Sequence, residues 1–130
     1  LVSAINECHY CVDHHFAGLK RLLGDDARAD ALKDAILSNR FEDAPLDNAQ
    51  KVAMNYARKL TLAPASLTKL DVIELRQSGF VDGEILEINQ VCSYFSYANR
   101  TVLGLGCSTE GDIIGLSPNN SDDPDDWSHT

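Results

Sequence analysis

Apolar residues recur at steps of three and four along several stretches that contain no proline. Such spacing places side chains on one face of an α-helix, whereas a half-buried strand needs strict alternation. Breakers are few, with 4 prolines and 8 glycines in 130 residues. The chain is also 44% hydrophobic, which is enough to build one buried core. The sequence therefore predicts a single all-α domain.

Capping and stop residues set the expected helix bounds. Leu1 to Ile5 read as the end of a helix, so we expect further residues upstream and a chain truncated at its N-terminus. The full helices are then expected over residues 8–23 (Asn6 as N-cap, Gly24 as stop), 25–37, 47–60, 69–78 (Thr68 as N-cap with Asp71, Gly79 as stop) and 83–105 (Asp82 as N-cap). We expect residues 1–107 to form the helical core and residues 108–130 an acidic tail anchored by Trp127.

The formal charge of −9 comes from 20 acidic and 11 basic residues. A field of this sign repels phosphate backbones and anionic lipids, so nucleic-acid and membrane-surface partners are not expected. No apolar stretch reaches the roughly 20 residues of a membrane span, and no signal peptide is visible. The four cysteines are best interpreted as reduced thiols, which favours a cytoplasmic location.

The pair Cys8-x-x-Cys11 opens the first full helix. Free N–H groups and the helix dipole stabilise a thiolate at such a position. A thiolate that attacks a peroxide becomes a sulfenic acid, and a second cysteine three residues away can condense with it to a disulfide. His15 lies one turn after Cys11 on the same face, where an imidazole can take up and return a proton.

The same residues also fit a zinc site. Cys8 and Cys11 could bind the metal with His14 or His15, and Cys92 or Cys107 could be the fourth ligand. Spacing alone does not separate this alternative from redox chemistry. Outside the pair, we expect Cys92 to be core, Cys107 to be exposed, and His9 and His14 to face solvent.

The run from Ser3 to Cys11, followed by His15, resembles the core of the AhpD-like alkylhydroperoxidases. It is most similar to the peroxidase-related branch of the carboxymuconolactone decarboxylase superfamily. The likeness covers residues 1 to about 107 and includes several further motifs in the same order: Lys59-Leu60-Thr61, Leu75-Arg76-Gln77-Ser78-Gly79-Phe80, residues 82–87, Asn99-Arg100 and Leu103-Gly104-Leu105-Gly106.

This resemblance implies an all-helical fold that assembles as a homo-oligomer and needs neither cofactor nor metal. It also implies that Cys11 attacks a hydroperoxide, that Cys8 resolves the sulfenic acid, and that His15 belongs to a proton relay. A dithiol reductant protein or a small thiol would then regenerate the pair. The resemblance favours redox chemistry over zinc.

The chain departs from the family pattern at two positions. The pattern places a glutamate roughly a dozen residues before the first cysteine, but only seven residues precede Cys8, so that carboxylate would lie upstream of Leu1. Tyr10 stands where active members often carry histidine, and His9 points about 100 degrees away around the helix. Two alternatives therefore stay open: a thiol–disulfide sensor or binding protein without fast turnover, and decarboxylase-like chemistry on a small lactone.

Overall fold

A computed structural model describes residues 1–115 as an assembly of six α-helices. Within these residues there is no strand, so the predicted all-α class is confirmed. The helices are α1 (Val2–Ile5), α2 (His9–Leu23), α3 (Asp26–Leu37), α4 (Asn48–Leu62), α5 (Lys69–Gln77) and α6 (Asp82–Leu105), with short 3-10 turns at Phe41–Asp43 and Pro64–Ser66.

Most helix ends follow the local chemistry of the sequence. The Asp25 carboxylate accepts a hydrogen bond from the Arg28 amide at 3.0 Å and begins α3. The Thr68 and Asp71 side chains cap α5 together, as expected. Gly24 ends α2 with φ of 60°, a left-handed conformation that favours glycine.

Two predicted N-caps are wrong. Asn6 does not cap α2, because the chain turns between α1 and α2 and the N-cap position falls on Cys8. Asp82 is already the first residue of α6, and its carboxylate accepts a hydrogen bond from Arg76 at 2.7 Å. Asn6 instead donates to the Asn99 side chain at 3.0 Å, and at the start of α6 the Glu84 carboxylate accepts from the Val81 amide at 2.9 Å.

The core lies where α4 and α6 pack against each other. One buried cluster joins α1 to these helices through Val2, Ala57 and Cys92. A second cluster joins α5 through Tyr56, Leu75 and Ile85. Because α1 packs on α4 and α6, the turn that follows it brings the start of α2 against the middle of α6.

The first part of the expected tail contacts the helical core. Asp112 reaches His14 on α2, with 3.1 Å between its Oδ2 and the histidine Nε2. Residues 116–130 lie outside the described part of the chain, and so does the expected Trp127 anchor. In residues 1–115, no helix has the length and apolar character needed to cross a membrane.

Candidate redox site

The turn between α1 and α2 positions the two cysteines. Glu7 adopts a positive φ of 56°, which reverses the chain. The Cys8 amide then donates to the Ser3 carbonyl at 2.9 Å, and the Cys8 carbonyl accepts from the Val12 amide at 3.0 Å. Cys8 is therefore held between the two helices, and Cys11 lies in the first turn of α2.

Both thiols are buried and unpaired. Cys8 is 0% exposed and Cys11 is 4% exposed. The Cys8 side chain lies close enough to Cys11 to raise the pKa of its thiol, so the two side chains are neighbours. The structure thus brings together the two residues of the predicted pair.

Burial raises the pKa of the Cys11 thiol to about 11, and the hydrogen bond and charge of Cys8 add to the increase. A hydrogen bond from Asn99 lowers the pKa but does not offset the loss of water. The expectation that the helix start alone would favour a thiolate therefore does not hold. The resting form of Cys11 is the neutral thiol.

Asn99 is a site residue that the sequence analysis missed. Its side chain is fully buried. It donates to the Ser3 hydroxyl at 3.0 Å and accepts from the Asn6 amide at 3.0 Å, and it also reaches the Cys11 thiol. The sequence carries a signal for Asn99, because this amide follows Cys92 and Phe95 at helical spacing on the apolar face of α6.

His15 lies one turn beyond Cys11, as predicted, but no hydrogen bond between described residues joins it to either cysteine. Its ring packs edge-on against Phe95, with 4.7 Å between centroids. His15 is exposed to solvent. Partial loss of hydration, and then the nearby His14, lower the pKa of His15, so its imidazole is neutral at neutral pH and able to accept a proton.

His14 does not face solvent as expected. Its side chain is only 10% exposed and lies between Tyr10, with 4.6 Å between ring centroids, and Asp112. Burial first, and then the nearby Asp112 carboxylate, raise the pKa of Tyr10. Tyr10 therefore lies close to the segment that follows α6.

The alternative zinc site gains no support from the geometry. Among residues 1–115, no three side chains of the histidine, cysteine or acidic type come together in a way that could hold a metal. Cys92 is buried in the core, and Cys107 is exposed, both as expected.

An open cavity of about 330 Å³ adjoins the cysteine pair. Its walls are mostly apolar and come from five of the helices. Ser3, Val12, His15, Phe16 and Lys33 are among its lining residues. Cys8 and Cys11 are not in the wall, but Val12 follows Cys11 directly in the chain and the Ser3 carbonyl accepts from the Cys8 amide.

The site is a buried pair of cysteines in a Cys-x-x-Cys motif at the start of a helix, within an all-helical domain. The chain resembles the crystal structure of an uncharacterized peroxidase-related protein from Silicibacter sp. TM1040, with a TM-score of 0.74 and 34% sequence identity. The similarity covers 82% of this chain and 53% of that protein, so the chain spans about half of its length. No protein-family model and no curated protein matches the chain.

This similarity supports a relationship with peroxidase-related proteins. The assignment to the AhpD-like alkylhydroperoxidases and the carboxymuconolactone decarboxylase superfamily stays a prediction.

Proposed function

We propose that this domain is a thiol-dependent peroxidase that reduces hydroperoxides through Cys8 and Cys11. The observation that carries the proposal is the pair of buried, free and neighbouring thiols at the start of α2. Two neighbouring cysteines separated by two residues can form a disulfide with little movement of the backbone. The similarity to a peroxidase-related protein supports the same chemistry.

The reaction begins when the Cys11 thiolate attacks the outer oxygen of the hydroperoxide. The O–O bond breaks, the departing alkoxide takes a proton to become an alcohol, and Cys11 becomes a sulfenic acid. The Cys8 sulfur then attacks the Cys11 sulfur, and the hydroxyl group leaves as water with the thiol proton. A dithiol reductant returns two electrons and restores both thiols.

Cys11 is the better candidate for the attacking thiol. The family resemblance assigns it this role, and Asn99 donates a hydrogen bond to it that favours the thiolate. Neutral His15, one turn away on the same helix face, accepts the thiol proton through the bound peroxide and returns it to the leaving oxygen.

A thiol–disulfide sensor without fast turnover is the second candidate. It is favoured by one observation, namely that burial keeps Cys11 protonated and inaccessible at rest. Low thiolate content slows attack on a peroxide. A sensor would form the same disulfide, but each oxidation would need a slow local opening of the α1–α2 turn.

Turnover separates the two functions. The reduced protein is mixed with excess cumene hydroperoxide and dithiothreitol, and alcohol formation is followed over many equivalents. A peroxidase gives many turnovers, and Cys11→Ser abolishes them. One oxidation of Cys8 and Cys11 per molecule, with no acceleration of steady peroxide loss, would instead identify the sensor.

The roles of the two cysteines are tested with single variants. Cys8→Ser should leave a sulfenic acid on Cys11 that a dimedone probe labels, whereas Cys11→Ser should give no label. Cys107→Ser is the matched control because this thiol is exposed, and it should behave like the unmodified protein. Labelling of Cys8 in the Cys11→Ser variant would contradict the assignment.

A further inference from the structure

The cavity beside the cysteine pair combines an apolar wall with one fixed positive charge. Its volume of about 330 Å³ lies in the range of small-molecule sites, which run from about 300 to 1,000 Å³. Aliphatic side chains at its opening are unusually exposed, with Leu37 at 53% and Val91 at 54%. An organic ligand that covered them would remove this apolar surface from water.

Lys33 is the only lysine, arginine or acidic side chain in the cavity wall. Its ammonium group lies 4.6 Å from the centre of the Phe16 ring, and this contact holds the charge at the cavity. Among residues 1–115 it has no carboxylate partner, although Lys20 and Lys59 each form ion pairs. In a chain of net charge −9, such an unpaired cation at an apolar site is suited to an anionic ligand.

The cavity wall also includes polar residues that adjoin the reaction site. Ser3 accepts a hydrogen bond from Asn99, which lies beside Cys11, and His15 lines the cavity one turn after Cys11. A ligand with one charged end and one peroxide group can therefore meet Lys33 and the cysteine pair together, with its hydrocarbon between them.

We propose that the cavity binds a carboxylate-bearing aliphatic hydroperoxide, with the carboxylate at Lys33 and the peroxide group at the Ser3 and His15 end. This inference rests on the proposed function and narrows its substrate class to acidic amphiphiles. Binding of the acid by itself needs no chemistry, so it can be measured separately from turnover.

Decanoate and its methyl ester are the probes for the binding step. Calorimetry should show that the native protein binds decanoate more tightly than the uncharged ester. Lys33→Gln should weaken decanoate binding by about tenfold or more, since a charge-assisted hydrogen bond is lost. Lys33→Arg should restore most of the affinity. Lys69→Gln is the matched control because Lys69 is exposed and outside the cavity, and it should change nothing.

The corresponding activity test compares an aliphatic acid hydroperoxide with its methyl ester. Lys33→Gln should lower kcat/KM for the acid by a similar factor relative to kcat/KM for the methyl ester, so the preference for the acid is lost. Circular dichroism verifies that each variant is folded.

The results distinguish failure of this inference from failure of the proposed function. If decanoate and its ester bind equally, or if Lys33→Gln binds decanoate as the native protein does, the inference is overturned even where turnover depends on Cys11. If decanoate binding depends on Lys33 but no hydroperoxide oxidises the cysteines, the anionic ligand site stands and the peroxidase function falls.

Discussion

Cys11 illustrates how burial and hydrogen bonding compete at a single thiol. Loss of water and the neighbouring Cys8 raise its pKa to about 11, while Asn99 acts in the opposite direction. The balance keeps the thiol neutral at rest, so any peroxidase activity depends on groups that stabilise the thiolate during attack. Asn99, on α6, is a side chain that lowers the pKa of Cys11 and so acts in this direction.

Replacing Asn99 by leucine should therefore affect both stability and thiol chemistry. The change leaves Ser3 and Asn6 without a buried partner, which costs about 1 to 3 kcal/mol for an unsatisfied group. It should also raise the pKa of Cys11 further and slow its alkylation at alkaline pH. Stability is measured by denaturant unfolding and thiol reactivity by mass spectrometry of the alkylated protein.

Asn89→Leu is the matched control, because Asn89 donates a hydrogen bond at 2.8 Å to the Tyr56 hydroxyl, far from the cysteines along α6. It should destabilise the fold without changing Cys11 alkylation. Equal alkylation in the Asn99 and Asn89 variants would show that Asn99 has no role in the thiol environment.

The raised pKa of Cys11 also predicts a pH dependence of stability. In the unfolded chain the thiol ionises near its ordinary value of 9.0, but in the folded protein only near about 11. The folded state therefore binds the thiol proton more tightly than the unfolded state does. This difference contributes fully to the free energy of unfolding below pH 9, and the contribution is lost as the pH rises to 11. The loss is roughly 2 to 3 kcal/mol.

Urea unfolding at a series of pH values measures this slope. The Cys11→Ser variant should lose less stability than the native protein over the same pH range. Burial also raises the pKa of Cys92, so the free energy of unfolding should still fall somewhat with pH in both proteins. Parallel curves for the two proteins would contradict the raised pKa of Cys11.

At the scale of the helix, α2 carries two glycines with opposite requirements. Gly18 lies in the helix interior, and a Cβ added there would meet nothing within 4 Å. Gly24 ends the helix with φ of 60°. Gly18→Ala should stabilise the protein by about 1 kcal/mol through helix propensity, and Gly24→Ala should destabilise it by about the same amount. Thermal unfolding measures the stability of both variants. A loss of stability with Gly18→Ala would show that the segment near Gly115 needs the space beside Gly18.

Asp112 connects the segment after α6 to α2. Asp112→Asn removes the charge that raises the pKa of Tyr10 and that accepts a hydrogen bond from His14. We expect Tyr10 to titrate at a lower pH in this variant and amides in residues 108–115 to exchange faster. Ultraviolet titration and hydrogen exchange provide the measurements. Glu110→Gln, an exposed change in the same segment, should leave both unchanged, and an unaltered Tyr10 titration in Asp112→Asn would contradict the contact.

Local sequence rules predicted the helices because their signals are contained within a few residues. Asp25, Thr68 and Gly24 act on their own helix ends, and the steps of three and four identify the buried faces. The site was only partly predictable. Cys8, Cys11 and His15 lie within eight residues of one another, whereas Asn99 and Asp112 reach Asn6 and His14 from 93 and 98 residues away. Burial, which determines the pKa of Cys11, depends on the packing of several helices and has no local signature.

For the whole molecule, α6 has two different faces. Ile85, Cys92 and Asn99 are buried, but Leu86, Tyr94, Tyr97 and Leu105 recur at helical spacing on the opposite side and are 56% to 77% exposed. Contiguous exposed apolar groups of this kind are typical of protein contacts. Aromatic residues in particular contribute strongly to binding when an interface covers them.

We expect the chain to self-associate through this face of α6, in agreement with the homo-oligomer that the family resemblance implies. The double variant Tyr94→Glu and Tyr97→Glu should be monomeric in sedimentation experiments at concentrations where the native protein is not, because assembly would bury two unpaired carboxylates. The control introduces two glutamates at exposed positions of another helix, Leu70→Glu and Gln77→Glu on α5, and it should keep the native assembly.

Since Cys11 lies on the buried side of α6, the variant at Tyr94 and Tyr97 should keep the folded environment of this thiol. A native protein that sediments as a monomer at all concentrations would show that this face has a different partner or none.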